Sequence, residues 1–109
     1  MDFDVGMIQG ENFYFSANHA WPAVKLSIEP QRITLANGFK VFPFERDQIT
    51  RLSEYRGFTW IFARGIRIEH RLEDCPRLIV FWAFDLTEIK RTLAENRFAL
   101  AGPDDPSES

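Results

Sequence analysis

The chain is short of the side chains on which most enzymes and metal proteins depend. It has a single cysteine, Cys75, and two histidines, His19 and His70. One cysteine excludes an intrachain disulfide and any cysteine metal cluster, and it fits a reducing compartment. No apolar run approaches the ~18 residues that a membrane-spanning helix needs. The opening stretch MDFDVGMIQG carries two acids and no base, which is the wrong chemistry for a secretory signal. These absences point to a cytoplasmic protein.

Charge of one sign is also scarce. The net charge is −3, with three acids and no base in residues 1–20 and the same in residues 101–109, so the body holds 13 bases against 10 acids. Nucleic-acid binding asks for a pI above about 9 and a basic stripe, and this chain has neither. No phosphate-binding glycine loop, zinc-ligand spacing or nucleophile elbow occurs, so no cofactor or metal is implied. Glu69 and His70 are neighbours on an alternating strand and therefore face opposite ways. His70 and Cys75, five residues apart, read as a strand residue and an ordinary turn residue. No catalytic residues are assigned.

What is plentiful is aromatic: eleven Phe, three Trp and two Tyr in 109 residues. Such side chains suit pleated, half-buried strands. A chain of this length folds as one domain and can bury roughly 60–70% of its unfolded surface. Residues 1–11 and 101–109 lack periodicity and are expected to be flexible, leaving a domain over 12–100 and an acidic, disordered tail.

The first strand is expected near residues 12–17, followed by the loop NHAWP. In AVKLSIE, Val24, Leu26 and Ile28 alternate with polar neighbours, as in a strand with one wet face. RITLA repeats the pattern with Ile33 and Leu35. Asn37-Gly38 predicts a tight type I′ hairpin. In the return strand FKVFPFE, residues 39–45, Pro43 predicts an edge strand or a bend. ITRLSEYR and IRIEHR follow, and RLIVFWAF, residues 77–84, is apolar on both faces and must be covered on both. Asp85 and Glu88 have capping-box spacing for a helix running to about Phe98, with Leu86, Ile89 and Leu93 on its apolar stripe.

ITLANGFKVFPFERDQITRLSEY, followed by IRIEHR and LIVFWAFDLTEIKRTL, resembles strands three to seven and the C-terminal helix of the pleckstrin-homology-like (PH-like) fold, particularly small bacterial PH-like domains. The resemblance implies a mainly β (α+β) partial barrel. Seven antiparallel strands lie in two sheets and one C-terminal helix plugs an open corner. Phosphoinositide-binding members carry a Lys, then a second basic residue and an Arg across the first two strands. Here FYFSANHAWPAVKLSIE offers only Lys25 and His19, so no specific phosphoinositide binding is expected. Protein- or peptide-binding members need no such motif.

Two groups of residues stand out as candidate binding residues. GFTWIFARG, residues 57–65, concentrates Phe58, Trp60 and Phe62 between Arg56 and Arg64. It can extend a strand, cap the barrel, or meet a partner, since aromatics and Arg are enriched at interfaces. Arg67 and Arg71, with Arg77, can line one outward face, although Glu69, Glu73 and Asp74 lie among them. The sequence therefore suggests a non-catalytic module that binds a protein or peptide, or a second copy of itself. The alternative is a peripheral membrane module whose arginine face meets anionic lipid.

Overall fold

The computed structural model describes residues 1–11, 16–55 and 64–102. Among them are eight strands: β1 (Asp2–Gly10), β2 (Ser16–Glu29), β3 (Arg32–Ala36), β4 (Val41–Glu45), β5 (Ile49–Tyr55), β6 (Arg64–His70), β7 (Leu78–Ala83) and β8 (Leu100–Ala101). One helix, α1, spans Thr87–Glu95. The fold is mainly β with one helix, and its sheet does not close. The strands form one sheet in the order β4-β3-β2-β1-β7-β6-β5-β8. All neighbours are antiparallel except β5 and β8, which are parallel.

This corrects the expectation of seven strands in two sheets. The reason is β1, placed in a stretch expected to be loose. Asp4 pairs with Lys25 on β2 and Gly6 with Trp82 on β7, so β1 joins what would otherwise be two sheets. Val5, Met7 and Ile8 are buried, the first two on the main core and Ile8 on the opposite face. The expected strand at 12–17 falls largely on residues outside the description, and β2 already includes NHAWP. That segment still breaks the ladder: the register jumps from Val5↔Val24 to Met7↔His19, setting residues 20–23 against Gly6 alone. Pro22 has no N–H to give there.

The alternating strands behave as their pattern dictates. Val24, Leu26, Ile28, Ile33, Leu35, Ile66 and Ile68 all enter the main core. Leu78–Ala83 is buried throughout: Ile79 and Phe81 face that core, whereas Leu78, Val80 and Trp82 join Ile8 in a second cluster. The sheet curls strongly, because the Phe44 ring of β4 lies 4.9 Å from the His70 ring of β6.

Leu86, Ile89, Leu93 and Phe98 lay the helical stripe on the main core. The helix is shorter than 85–98, and no capping box starts it. Asp85 Oδ1 accepts from the Thr87 N–H (2.9 Å) and hydroxyl (2.6 Å), while Glu88 pairs with Arg91. At the other end Arg97 takes φ 61°, and Phe98 N–H donates to Leu93 O at 2.9 Å. That is a Schellman closure with arginine where glycine is usual.

Candidate binding surfaces

Phe58, Trp60, Phe62 and Arg56 lie outside the described residues. Arg64 and Arg67 are three apart on β6 and therefore face opposite ways. Arg64 shares the side of Ile66, whereas Arg67 stands between Ser53 and Val80 with its Nε buried and unbonded among the described residues. Arg71 braces the turn before β5: its guanidinium donates to Asp47 O (2.6 Å) and its backbone N–H to Gln48 O (2.8 Å). Of the face expected from Arg67, Arg71 and Arg77, Arg67 is half-buried whereas Arg71 and Arg77 are exposed.

The β3–β4 hairpin offers a different surface. Gly38 alone in the loop has positive φ, 89°, so the turn is not type I′ on Asn37-Gly38; Asn37 and Lys40 stand opposite each other and Gly38-Phe39 span the turn. Asn37 organises it. Its N–H donates to Lys40 O, and its Oδ1 accepts from the N–H groups of Phe39 (3.0 Å) and Lys40 (2.9 Å). Its Nδ2 donates to Gln9 Oε1 on β1 at 2.9 Å. Lys40 Nζ donates to Asp74 O at 2.9 Å, tying the loop to the β6–β7 turn. From this braced loop Phe39 projects 91% exposed, with Val41 56% exposed beside it. Burying a Phe is worth roughly 1.5–3 kcal/mol, which this ring forgoes.

Next to the loop, the structure brings His70 Nε2 to 3.7 Å from Cys75 Sγ. The pair is not built as a nucleophile and base. His70 Nδ1 accepts the Leu72 N–H at 3.1 Å, which leaves the proton of the neutral ring on Nε2, directed to Pro76 O at 2.9 Å. Burial lowers the His70 pKa and pushes the Cys75 thiol up to about 11, so at neutral pH the thiol keeps its proton. Among the described residues no group of three or more His, Cys, Asp or Glu side chains is arranged to hold a metal.

A third feature surrounds Arg46, which the sequence does not single out. Its Nε donates to Pro30 O (2.7 Å), Nη1 to Arg97 O (3.1 Å) and Nη2 to Asn96 O, while the guanidinium lies 3.9 Å over the Phe98 ring. It fastens the helix C-terminus to the β2–β3 turn. Beside it, between the first half of β5 and the chain from Arg97 to Ala101, opens a cleft of about 500 Å³. Arg46, Arg51 and Arg97 line it, and no acidic side chain does among the described residues.

No protein-family model matches the chain, and no curated protein matches it. Fold and site together define a mainly β domain carrying one helix, an exposed aromatic hairpin tip and an arginine-lined cleft. Among the described residues no helix is long and apolar enough to cross a membrane.

Proposed function

We propose that the chain is a non-catalytic, cytoplasmic binding module of the PH-like type, engaging a protein or peptide partner, or a second copy of itself, through the β3–β4 hairpin tip. The observation that carries this reading is Phe39, 91% exposed on a loop hydrogen-bonded at both ends to the rest of the fold. Aromatic side chains held out in this way are the anchors that dominate interfaces. A helix directly after β7 supports the PH-like assignment. The commitment of His70 Nε2–H to Pro76 O supports the absence of catalysis.

The anionic-lipid alternative draws less support. Of the arginines of that face, Arg67 is half-buried and Arg71 is committed to Asp47 O, and elsewhere Lys25 pairs with Asp4. The test places a photo-crosslinking aromatic amino acid at position 39, with a control at exposed Glu29. A defined crosslinked species from 39, absent from 29 and lost in Val41→Asp, is the expected result. Its absence, together with monomeric sedimentation at all concentrations, overturns the reading. Sedimentation with anionic vesicles that disappears at high salt would favour the lipid alternative.

A further inference from the structure

Both histidines of the chain stand behind the β3–β4 loop, and both are held there as acceptors of an N–H. At His19 the role follows from the loop backbone. Asn37 Oδ1 takes the N–H groups of Phe39 and Lys40, which fixes that side-chain amide and turns Nδ2, a donor only, towards β1 and β2. One Nδ2 proton goes to Gln9 Oε1 at 2.9 Å. The other is left for His19 Nε2, 3.5 Å away, which accepts it only without a proton of its own.

On the other side of the loop His70 clamps the β6–β7 turn. Its Nδ1 accepts the Leu72 N–H and its Nε2–H donates to Pro76 O, so the ring spans a turn in which Asp74 takes φ 56°, a conformation that surrounding contacts have to hold. Asp74 O is the carbonyl that Lys40 Nζ reaches from the loop. An imidazolium carries a proton on both nitrogens and accepts from neither. At His19 the added proton would meet the Asn37 amide protons. At His70 it would meet the Leu72 N–H, while the Pro76 bond survives.

We propose that the β3–β4 loop is released by acid: protonation of His19 and His70 loosens its two braces, frees the Phe39 tip and weakens what that tip binds. The last step rests on the hairpin-tip reading; the release itself does not. Histidine is the side chain whose charge changes between about pH 5 and 8. Among the described residues, His19 meets the uncharged amides of Asn37 and, behind it, Gln9, with Met7 opposite on β1. His70 meets the Phe44 ring of β4, Ile49 opposite on β5, Cys75 Sγ at 3.7 Å and, beyond that thiol, the Lys40 ammonium. Cys75, pushed up to about 11, keeps its proton throughout, and Lys40 opposes a second cation beside it. Glu69 points to the other face of β6, and Glu73 and Asp74 in the turn are exposed. Burial lowers the His70 pKa, so this clamp is complete at neutral pH and is lost on the acid side of 6.5.

The test is NMR on the full chain from about pH 7.5 to about pH 5, following the imidazole shifts of both histidines and the backbone order parameters of Phe39 and Lys40. In step with the imidazole titrations those order parameters should drop from about 0.85 to below about 0.6, while Ile33 and Leu35 in the core stay rigid. In His19→Gln with His70→Asn, whose amide oxygens accept without taking a proton, the loop should stay ordered throughout. The crosslinking expected from position 39 should weaken about fivefold over the same range, and not in the double variant. A loop unchanged while both rings titrate overturns the proposal, as does loosening that persists in the double variant. So does simultaneous loss of order at Ile33 and Leu35, which is unfolding of the domain, and so does undiminished crosslinking from a loosened loop. If the double variant does not fold, the titration of the unsubstituted chain decides alone. Loop order is read without a partner, so its failure leaves the hairpin-tip reading standing, and a failed crosslink at position 39 leaves the release standing.

Discussion

Replacing Gly6 with alanine sets two effects of opposite sign against each other. Alanine in a strand is ordinarily better than glycine by roughly 0.5–1 kcal/mol, because glycine loses more backbone freedom on folding. At this position the added methyl would lie 2.2 Å from Cε2, 2.4 Å from Cζ2 and 2.6 Å from Nε1 of Trp82. The indole cannot simply step aside. Trp82 is only 2% exposed, and its Nε1 donates to Asn18 Oδ1 at 3.0 Å. Overpacking costs ~1–3 kcal/mol, and displacing a buried Trp approaches the ~3–5 kcal/mol of removing one. Repulsion wins, with a net loss of about 3 kcal/mol. At ~2.1 cal/mol/K per residue, 109 residues give an unfolding entropy of roughly 0.23 kcal/mol/K, so the melting temperature should fall by about 13 °C. Circular dichroism melts and urea midpoints measure this. In a Trp82→Leu background the same substitution should be nearly neutral, since the atoms it strikes are gone. An unchanged melting temperature, or an equal loss in both backgrounds, refutes the close-approach argument.

Arg97→Gly should stabilise the fold by about 0.5 kcal/mol, because relief of the left-handed conformation slightly exceeds the entropic cost of glycine; a lower melting temperature refutes this. Pro43→Val restores an outward N–H on β4, so light scattering should show concentration-dependent association beyond that of the unsubstituted chain, with the melting temperature little changed. His70 has a lowered pKa in the folded chain, chiefly through burial, so as pH falls below about 6.5 the unfolded state takes up the proton first and stability declines. His70→Gln should flatten that slope between about pH 7 and 5.5 in chemical denaturation, whereas Asp85, whose pKa is also lowered, acts only at lower pH, within the carboxylate range.

Strands with one wet face were legible because a period of two leaves a mark on the sequence. Val24, Leu26 and Ile28 alternate with polar residues, and burial follows that alternation. Pro43 correctly announces an edge. β1 leaves no such mark: it is buried on both faces at Val5–Ile8, and its glycine is there to admit an indole from β7. The helix end was missed for a related reason, since Arg97 occupies the left-handed position where a glycine would have advertised the stop. Arg46 is illegible in principle, because the carbonyls it holds lie 16 to 51 residues away in sequence. For His70 and Cys75 the spacing is readable but the chemistry is not. The Leu72 N–H sets the tautomer, and only a folded turn places it there.

The two surfaces share a thermodynamic logic. Ordering a loop and its side chains on binding costs ~0.5–1.5 kcal/mol for each immobilised side chain, and that cost subtracts directly from affinity. Around Phe39 much of the ordering is already complete: Asn37 fixes the loop backbone, Gln9 holds Asn37, and Lys40 reaches Asp74 O. At the cleft, Arg46 performs the same service for the chain after the helix, holding Asn96 O and Arg97 O as that chain leaves for β8. Arg46 itself lines the cleft, but Asn37 stands behind the exposed Phe39 ring. Weakening the Asn37 brace should therefore lower affinity through entropy while leaving the contacting ring in place. Asn37→Ala separates bracing from contact, because it frees the Phe39 tip without altering the ring.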